Sequence, residues 1–172
     1  MPRLHVCALA QVAAVARESG AAALVSLINP PLSVERPARI APQWHMLLEM
    51  HDIAAPLAGH ILPQAAHVDA LLAFVRAWDR RAPMLIHCWA GVSRSTAAAF
   101  VAACALAPEH SELAIARALR AASPTATPNP RLVALADDLL GRSGRMADAV
   151  AAIGRGADCF EGVAFALDLP PA

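Results

Sequence analysis

Met84-Leu85-Ile86-His87-Cys88-Trp89-Ala90-Gly91-Val92-Ser93-Arg94-Ser95 is the stretch on which the reading of this chain turns. Met84–His87 is short and apolar, as a buried strand is, and the Ala-rich run Arg94–Leu106, closed off by Pro108, reads as a buried helix. Very few residues join the two. Gly91 supplies the positive φ that so tight a strand-to-helix turn can require. Such a turn aims successive backbone N–H groups at one point, and the helix start adds its own unpaired N–H groups and positive dipole end. Arg94 adds a planar fork that matches two oxygens of a phosphate. Cys88 stands at the foot of this nest, where a positive field favours thiolate over thiol. A thiolate held beneath a bound phosphorus atom, in line with the leaving group, is a nucleophile.

On both sides of this stretch, strand and helix patterns alternate. Leu4–Ala8 is a strand, and residues 9–18 form a helix stopped by Gly20. Ala22–Ile28 is a buried strand that ends at Asn29-Pro30-Pro31. Residues 29–43 contain four prolines and form a surface loop carrying Arg36 and Arg39. Trp44–Met50 is a third strand, and Pro63–Trp78 is an amphipathic helix with Val68, Leu71, Leu72 and Val75 on one face. Helices follow at 111–121, with Ser111 as N-cap, at Leu132–Leu140, stopped by Gly141, and at 145–153; Ser123–Pro130 is a loop. Asp137-Asp138 reads as a solvated helix face, and residues 157–172 show no assignable pattern.

This order predicts an α/β fold: a single compact domain with a mainly parallel central sheet of about four to five strands flanked by helices. The domain takes in residues 1–172, with 1–142 as its core and 143–172 as a C-terminal helix and tail. Open parallel sheets bind ligands at the carboxyl ends of their strands. That edge is where Asp52, just past Trp44–Met50, and Cys88, just past Met84–His87, come together, and where the loop 29–43 overhangs.

With 172 residues, 58% of them hydrophobic, the chain can bury a large core without disulfides. Its 14 basic and 14 acidic residues cancel, which argues against a nucleic-acid or anionic-membrane binder. Every basic residue is Arg, and the excess of Ala, Arg and Pro without Lys resembles the coding bias of GC-rich bacteria. Cys7, Cys88, Cys104 and Cys159 form no C-x-x-C pair and no zinc spacing, so free thiols in a reducing cytoplasm are expected, with Cys7, Cys104 and Cys159 in the core. The apolar stretch Leu4–Val15 runs into Arg17 and Glu18 and reads as strand then helix rather than a leader, and no apolar run is long enough for a bilayer. A cytoplasmic monomer without metal or cofactor, nucleic acid or membrane is the expectation. His5, His45, His60, His67 and His110 are scattered without ligand spacing.

His87-Cys88, five residues, then Arg94-Ser95 resembles the H-C-x5-R-[ST] signature of the protein tyrosine phosphatase superfamily. The fuller string H-C-x-A-G-V-S-R-S resembles its dual-specificity branch. Asp52 stands about where that branch places its general acid, and Pro128-Asn129 before an amphipathic helix resembles a structural feature of the same branch. The resemblance runs over roughly residues 20–142. It implies a P-loop of the phosphatase type, with Cys88 as the nucleophile that forms a phosphocysteine and Arg94 as the ligand of the phosphate and the transition state. It implies that the N–H groups of Trp89, Ala90, Gly91, Val92, Ser93 and Arg94 cradle the phosphoryl oxygens. Ser95 would assist the departing thiolate, Asp52 would protonate the leaving oxygen and then activate water, and His87 would orient the loop. The implied substrates are phosphotyrosine proteins, together with phosphoserine or phosphothreonine proteins, or a small phosphate ester.

Other readings are weighed on the same residues. Glu49 and His51 rival Asp52 as the acid. A rhodanese-like sulfurtransferase also holds a Cys loop between strand and helix, but Arg94-Ser95 and the upstream Asp52 argue against it. Intact Cys88 and Arg94 argue against a non-catalytic phosphate-binding module. The absence of Lys from the loop argues against a phosphoinositide. Pocket depth rests on loops 29–43, 53–62 and 123–130.

Overall fold

The computed structural model describes residues 3–169. Strands β1 (Arg3–Ala8), β2 (Ala23–Ile28), β3 (His45–Glu49), β4 (Met84–Cys88) and β5 (Phe165–Asp168) form one sheet in the order β3-β2-β4-β1-β5. The first four run parallel, as the alternating pattern predicts. β2 lies in the interior of the sheet, and all six of its residues are buried, which is why it reads as an unbroken apolar run.

Two departures from the sequence reading concern the strands. The third strand begins at His45, because Pro42 opens a 3-10 turn that ends with Trp44. It stops at Glu49, although the Met50 N–H still reaches Ile28 O at 3.1 Å. The tail contributes β5, which pairs antiparallel with β1. Four residues, Phe-Ala-Leu-Asp, are too few for a period to emerge, and their strand character comes from the edge on which they lie.

Helices α2 (Ala65–Ala77), α3 (Arg94–Leu106), α4 (Glu112–Ala122), α5 (Pro130–Leu139) and α6 (Arg145–Ile153) share one large apolar core with one face of the sheet. Helix α1 (Val12–Ser19) packs a smaller core on the other face, with Leu24, Ile40 and Leu85. The predicted stripe of α2, Val68, Leu71, Leu72 and Val75, is buried. Each such side chain is worth about 1.5–3 kcal/mol of transfer free energy. Ser111 Oγ caps α4 by accepting from Ala114 N at 3.2 Å.

Asp137 is not on a solvated face. It is buried, and its carboxylate accepts from Gly144 N at 2.6 Å and Met146 N at 2.7 Å, neutralising the start of α6. Buried Glu112 accepts from Arg142 Nη1 at 3.1 Å and Arg145 Nε at 3.2 Å. These two carboxylates tie α6 to α5 and α4, and Met146 and Ala149 of α6 are built into the same core. Among the described residues, no helix is long and apolar enough to cross a membrane.

The parallel strands end at one edge, where segments 9–11, 29–43, 50–62 and 89–93 leave the sheet. Because β5 is antiparallel, Phe165 lies opposite Val6, so the chain before it arrives near the same edge.

Candidate active site

The loop after β4 is turned inside out by its own hydrogen bonds. Trp89 O accepts from Leu9 N at 3.1 Å, Ala90 O from Gly162 N at 2.8 Å, Val92 O from Thr127 N at 2.9 Å, and Ser93 O from Asn129 N at 3.3 Å. Thr96 Oγ donates back to Val92 O and Ser93 O, at 2.5 and 3.0 Å. With the carbonyls drawn outward, the N–H groups face the loop's interior, and none of those of residues 89–94 donates to a protein group among the described residues. Backbone donors demand acceptors, and this ring offers them to an anion. Gly91 makes the turn possible: its φ is +72°, and a Cβ there would sit 2.7 Å from Ala8 N. Helix α3 begins at Arg94, so its positive end points into the ring.

Cys88 Sγ lies at the floor of this ring, 3.1 Å from Ser95 Oγ. Arg94 is 4% exposed; its Nη1 donates to Met50 O at 2.7 Å, while its Nε has no partner among the described residues. A buried guanidinium with an unused donor is an unfinished anion site, since such a group is costly to leave unpaired. Asp52 stands at the mouth. Its Oδ1 accepts from Ser93 Oγ and from Asn129 Nδ2, both at 2.8 Å, so it is pinned between the loop 89–93 and the start of α5. Of its two rivals, Glu49 does not line the cleft, whereas His51 does and accepts from Ile61 N at Nδ1, at 2.9 Å.

His87 stands behind the loop and does not line the cleft. A carbonyl only accepts, so the contact to Cys88 O at 3.3 Å puts the proton on Nδ1. Nε2 then accepts from Ser26 Oγ at 2.7 Å, and Ser26 accepts in turn from His45 Nε2 at 2.9 Å. Ser26 is the register partner of His87 across the sheet. Burial drives the His87 pKa down to about 4, against the opposing pull of the Cys88 carbonyl. Neutral His87 thus braces the loop from the α1 side. In the other buried thiols burial disfavours the thiolate: with the nearby Cys88 and Glu161 adding to it, burial pushes Cys7 up to about 12, and it likewise pushes Cys104 up to about 12.

These groups open into a cleft of about 790 Å³. Asn29, Pro31 and Leu32 wall one side, as expected of the overhanging loop, and His51, Asp52, Ile53 and His60 wall another. Arg36 and Arg39 are not part of it; they hold the carbonyls of Ile40 and of Ala16 and Arg17. Among the described residues, no group of three or more His, Cys, Asp or Glu side chains is arranged to hold a metal ion.

No family profile matches the chain, and no curated protein matches it either. Solved structures do. DUSP15 superposes with a TM-score of 0.65 at 16% identity, covering 88% of this chain and 92% of that one. Human DUSP28 gives 0.60 at 18%, covering 88% and 95%. The Cydia pomonella PTP-2 phosphatase gives 0.61 at 20%, covering 78% and 84%. The fold is that of the dual-specificity and tyrosine phosphatases. At these identities the likeness is one of architecture, and the chemistry of this chain rests on its own residues.

On this phosphatase fold the chain places three features that its sequence did not signal. Ser26 and His45 belong to the brace behind His87, and only strand register reveals them. Cys159 is not a core residue: it is exposed and lines the cleft. The segment around it borders the phosphate loop because Gly162 N–H binds Ala90 O and Gln11 Nε2 holds Gly162 O at 3.2 Å. The exposed position of Cys159 follows from β5, whose antiparallel pairing carries the preceding residues past the site rather than into the core.

Proposed function

We propose that this protein is a cysteine-dependent phosphatase that hydrolyses phosphate monoesters through a phosphocysteine on Cys88. The observation that carries this reading is the Cys88 thiol on the floor of a ring of inward N–H groups, with the buried Arg94 fork completing the ring. The thiolate attacks phosphorus, a sulfur–phosphorus bond forms, and the bond to the leaving oxygen breaks as Asp52 delivers a proton to it. The N–H ring and Arg94 hold the charge that spreads over the equatorial oxygens. In the second step Asp52 takes a proton from water, the water oxygen bonds to phosphorus, and the thiolate departs toward the Ser95 hydroxyl.

The substrates we assign to it are phosphorylated proteins: phosphotyrosine proteins, together with phosphoserine and phosphothreonine proteins. Arg94 is the one Arg or Lys lining the cleft, so a second phosphate would meet no further guanidinium there. The test is to incubate the enzyme with a phosphotyrosine peptide, quench in acid, and map the label. Phosphate on the peptide containing Cys88, with release of inorganic phosphate, is the expected result. Sulfur transfer from thiosulfate to cyanide, without phosphate release, would overturn it.

A further inference from the structure

The chain from Gly154 to Ala164 has no regular structure, yet it is laid down with care. Arg120 spreads its guanidinium over the carbonyls of Ala126, Ile153, Gly154 and Arg155, at 2.7 to 3.3 Å. Gly156 N donates to Thr127 Oγ at 3.1 Å, and Ala157 N to Pro124 O at 2.9 Å. Further on, Gly162 is stitched to Ala90 and Gln11, and β5 anchors the end. Between these fixings stands Phe160, 91% exposed, although an aromatic ring of this size is normally buried. It borders a hollow of about 200 Å³ that it shares with Leu9, Ala10, Trp89, Ala90 and Glu161. Trp89 is itself 51% exposed.

The hollow adjoins the catalytic cleft: Trp89 and Ala90 line both, and Cys159 of the cleft is followed directly by Phe160 of the hollow. Its charge decides what it takes. No basic residue lines it, and the one acidic residue, Glu161, accepts from Gln11 Nε2 at 3.1 Å. An anionic group finds no partner there, whereas an apolar side chain finds a Phe ring, an indole and a Leu. We propose that Phe160, Trp89, Leu9 and Ala10 form a specificity subsite for an aromatic or aliphatic residue that flanks the phosphorylated residue of an extended phosphopeptide. This deepens the phosphatase reading and rests on it.

The experiment compares two phosphotyrosine peptides that differ only in their flanking residues, Leu in one and Ser in the other. Wild-type enzyme is expected to favour the Leu peptide by about tenfold in kcat/KM, chiefly through KM, as befits covering one apolar side chain. Phe160→Ser should bring that ratio close to one. Its ring is solvent-exposed, so the fold does not depend on it. Leu139→Ser, which removes an exposed apolar residue on α5 outside both hollows, should leave the ratio unchanged. A wild-type ratio near one, or a ratio that survives Phe160→Ser, overturns the subsite while leaving the phosphatase reading intact. A change in sedimentation on Phe160→Ser with the ratio preserved would assign the patch to a second copy of the chain instead, and the proposal would fail. Absence of turnover on both peptides and on p-nitrophenyl phosphate would remove the phosphatase reading, and the subsite with it.

Discussion

The phosphate loop and the strap that crosses beside it border the same cleft, yet they are made in opposite ways. Residues 84–95 carry their own instructions. The strand, the glycine turn, the thiol and the arginine are neighbours in the chain, and the strand-to-helix turn sets their donors together, with the N–H groups of Leu9, Thr127, Asn129 and Gly162 holding its carbonyls outward. The strap, residues 154–164, has almost nothing of its own. It stays in place because Arg120, Thr127 and Gln11 hold its backbone and because β1 accepts β5 as an edge partner. Chemistry is therefore concentrated in a short local stretch, and enclosure is distributed over distant ones. Lesions in the first should destroy turnover; lesions in the second should reshape affinity and selectivity.

Cys88→Ser should show the first half of that contrast most strongly. Removing the nucleophile should cost roughly 10⁴-fold or more in kcat, on the scale of losing a covalent nucleophile elsewhere. Phosphate or vanadate should still bind, because the N–H ring and Arg94 remain, and calorimetry of the variant would read that directly. Near-native turnover would mean that the loop is a binding device and that the covalent route is wrong.

Asp52→Asn comes next. A general acid is worth about 10²–10⁴-fold, but only where the leaving group needs a proton. The variant should lose that much on phenyl phosphate or a phosphopeptide and far less on an activated nitrophenyl or fluorinated umbelliferyl phosphate. Equal losses on both would make Asp52 a clamp between Ser93 and Asn129 and nothing more.

Gly162→Val tests the strap. A Cβ at Gly162 already meets Gly91 O at 3.1 Å and Val92 Cγ2 at 3.4 Å, so a branched side chain must push the strap off the loop. Overpacking of this kind costs about 1–3 kcal/mol, and we expect about a tenfold fall in kcat/KM carried mainly by KM. A collapse of kcat comparable to that of Cys88→Ser would show that the strap holds the loop's catalytic geometry, and the contrast between the two regions would dissolve.

The last effect is one of pH and bears on stability rather than on turnover. An unfolded histidine titrates near pH 6.5, whereas burial holds His87 down to about 4. Between those values the unfolded chain binds a proton that the folded chain refuses. The contribution is thus intact above about pH 6.5 and is lost as pH falls toward 4, by about 3 kcal/mol in all. Denaturant melts of wild type and His87→Asn across pH 4–7 should diverge in slope within that window. Parallel curves would mean that His87 takes up its proton in the folded state and that the directed chain through Ser26 and His45 is misassigned.

Much of the architecture was legible before any coordinates, because it rests on repeated short-range signals. The apolar runs at Leu4–Ala8 and Ala22–Ile28, the stripe Val68-Leu71-Leu72-Val75 and the Ser111 cap each imply their element from a few adjacent residues, and each is present within a residue or two. Trp44 was misread because its apolar bulk resembles strand, while Pro42 two residues earlier had already set a turn. Asp137 was misread because a carboxylate on a helix is normally solvated, and the orphan N–H groups it satisfies belong to a different helix.

The sequence by itself determined which groups meet in the loop, a thiol, a run of amides and a guanidinium fork, because all three lie within one strand–turn–helix of contiguous residues. The tertiary structure alone decided that Asp52 is wedged between Ser93 and Asn129, that Ser26 faces His87 across two strands, and that Phe160 stands in solvent beside Trp89. Those juxtapositions depend on strand register, on β5 joining an edge far away in the chain, and on the packing of two cores. They are fixed by burial free energy summed over many residues, so no short stretch of the chain records them.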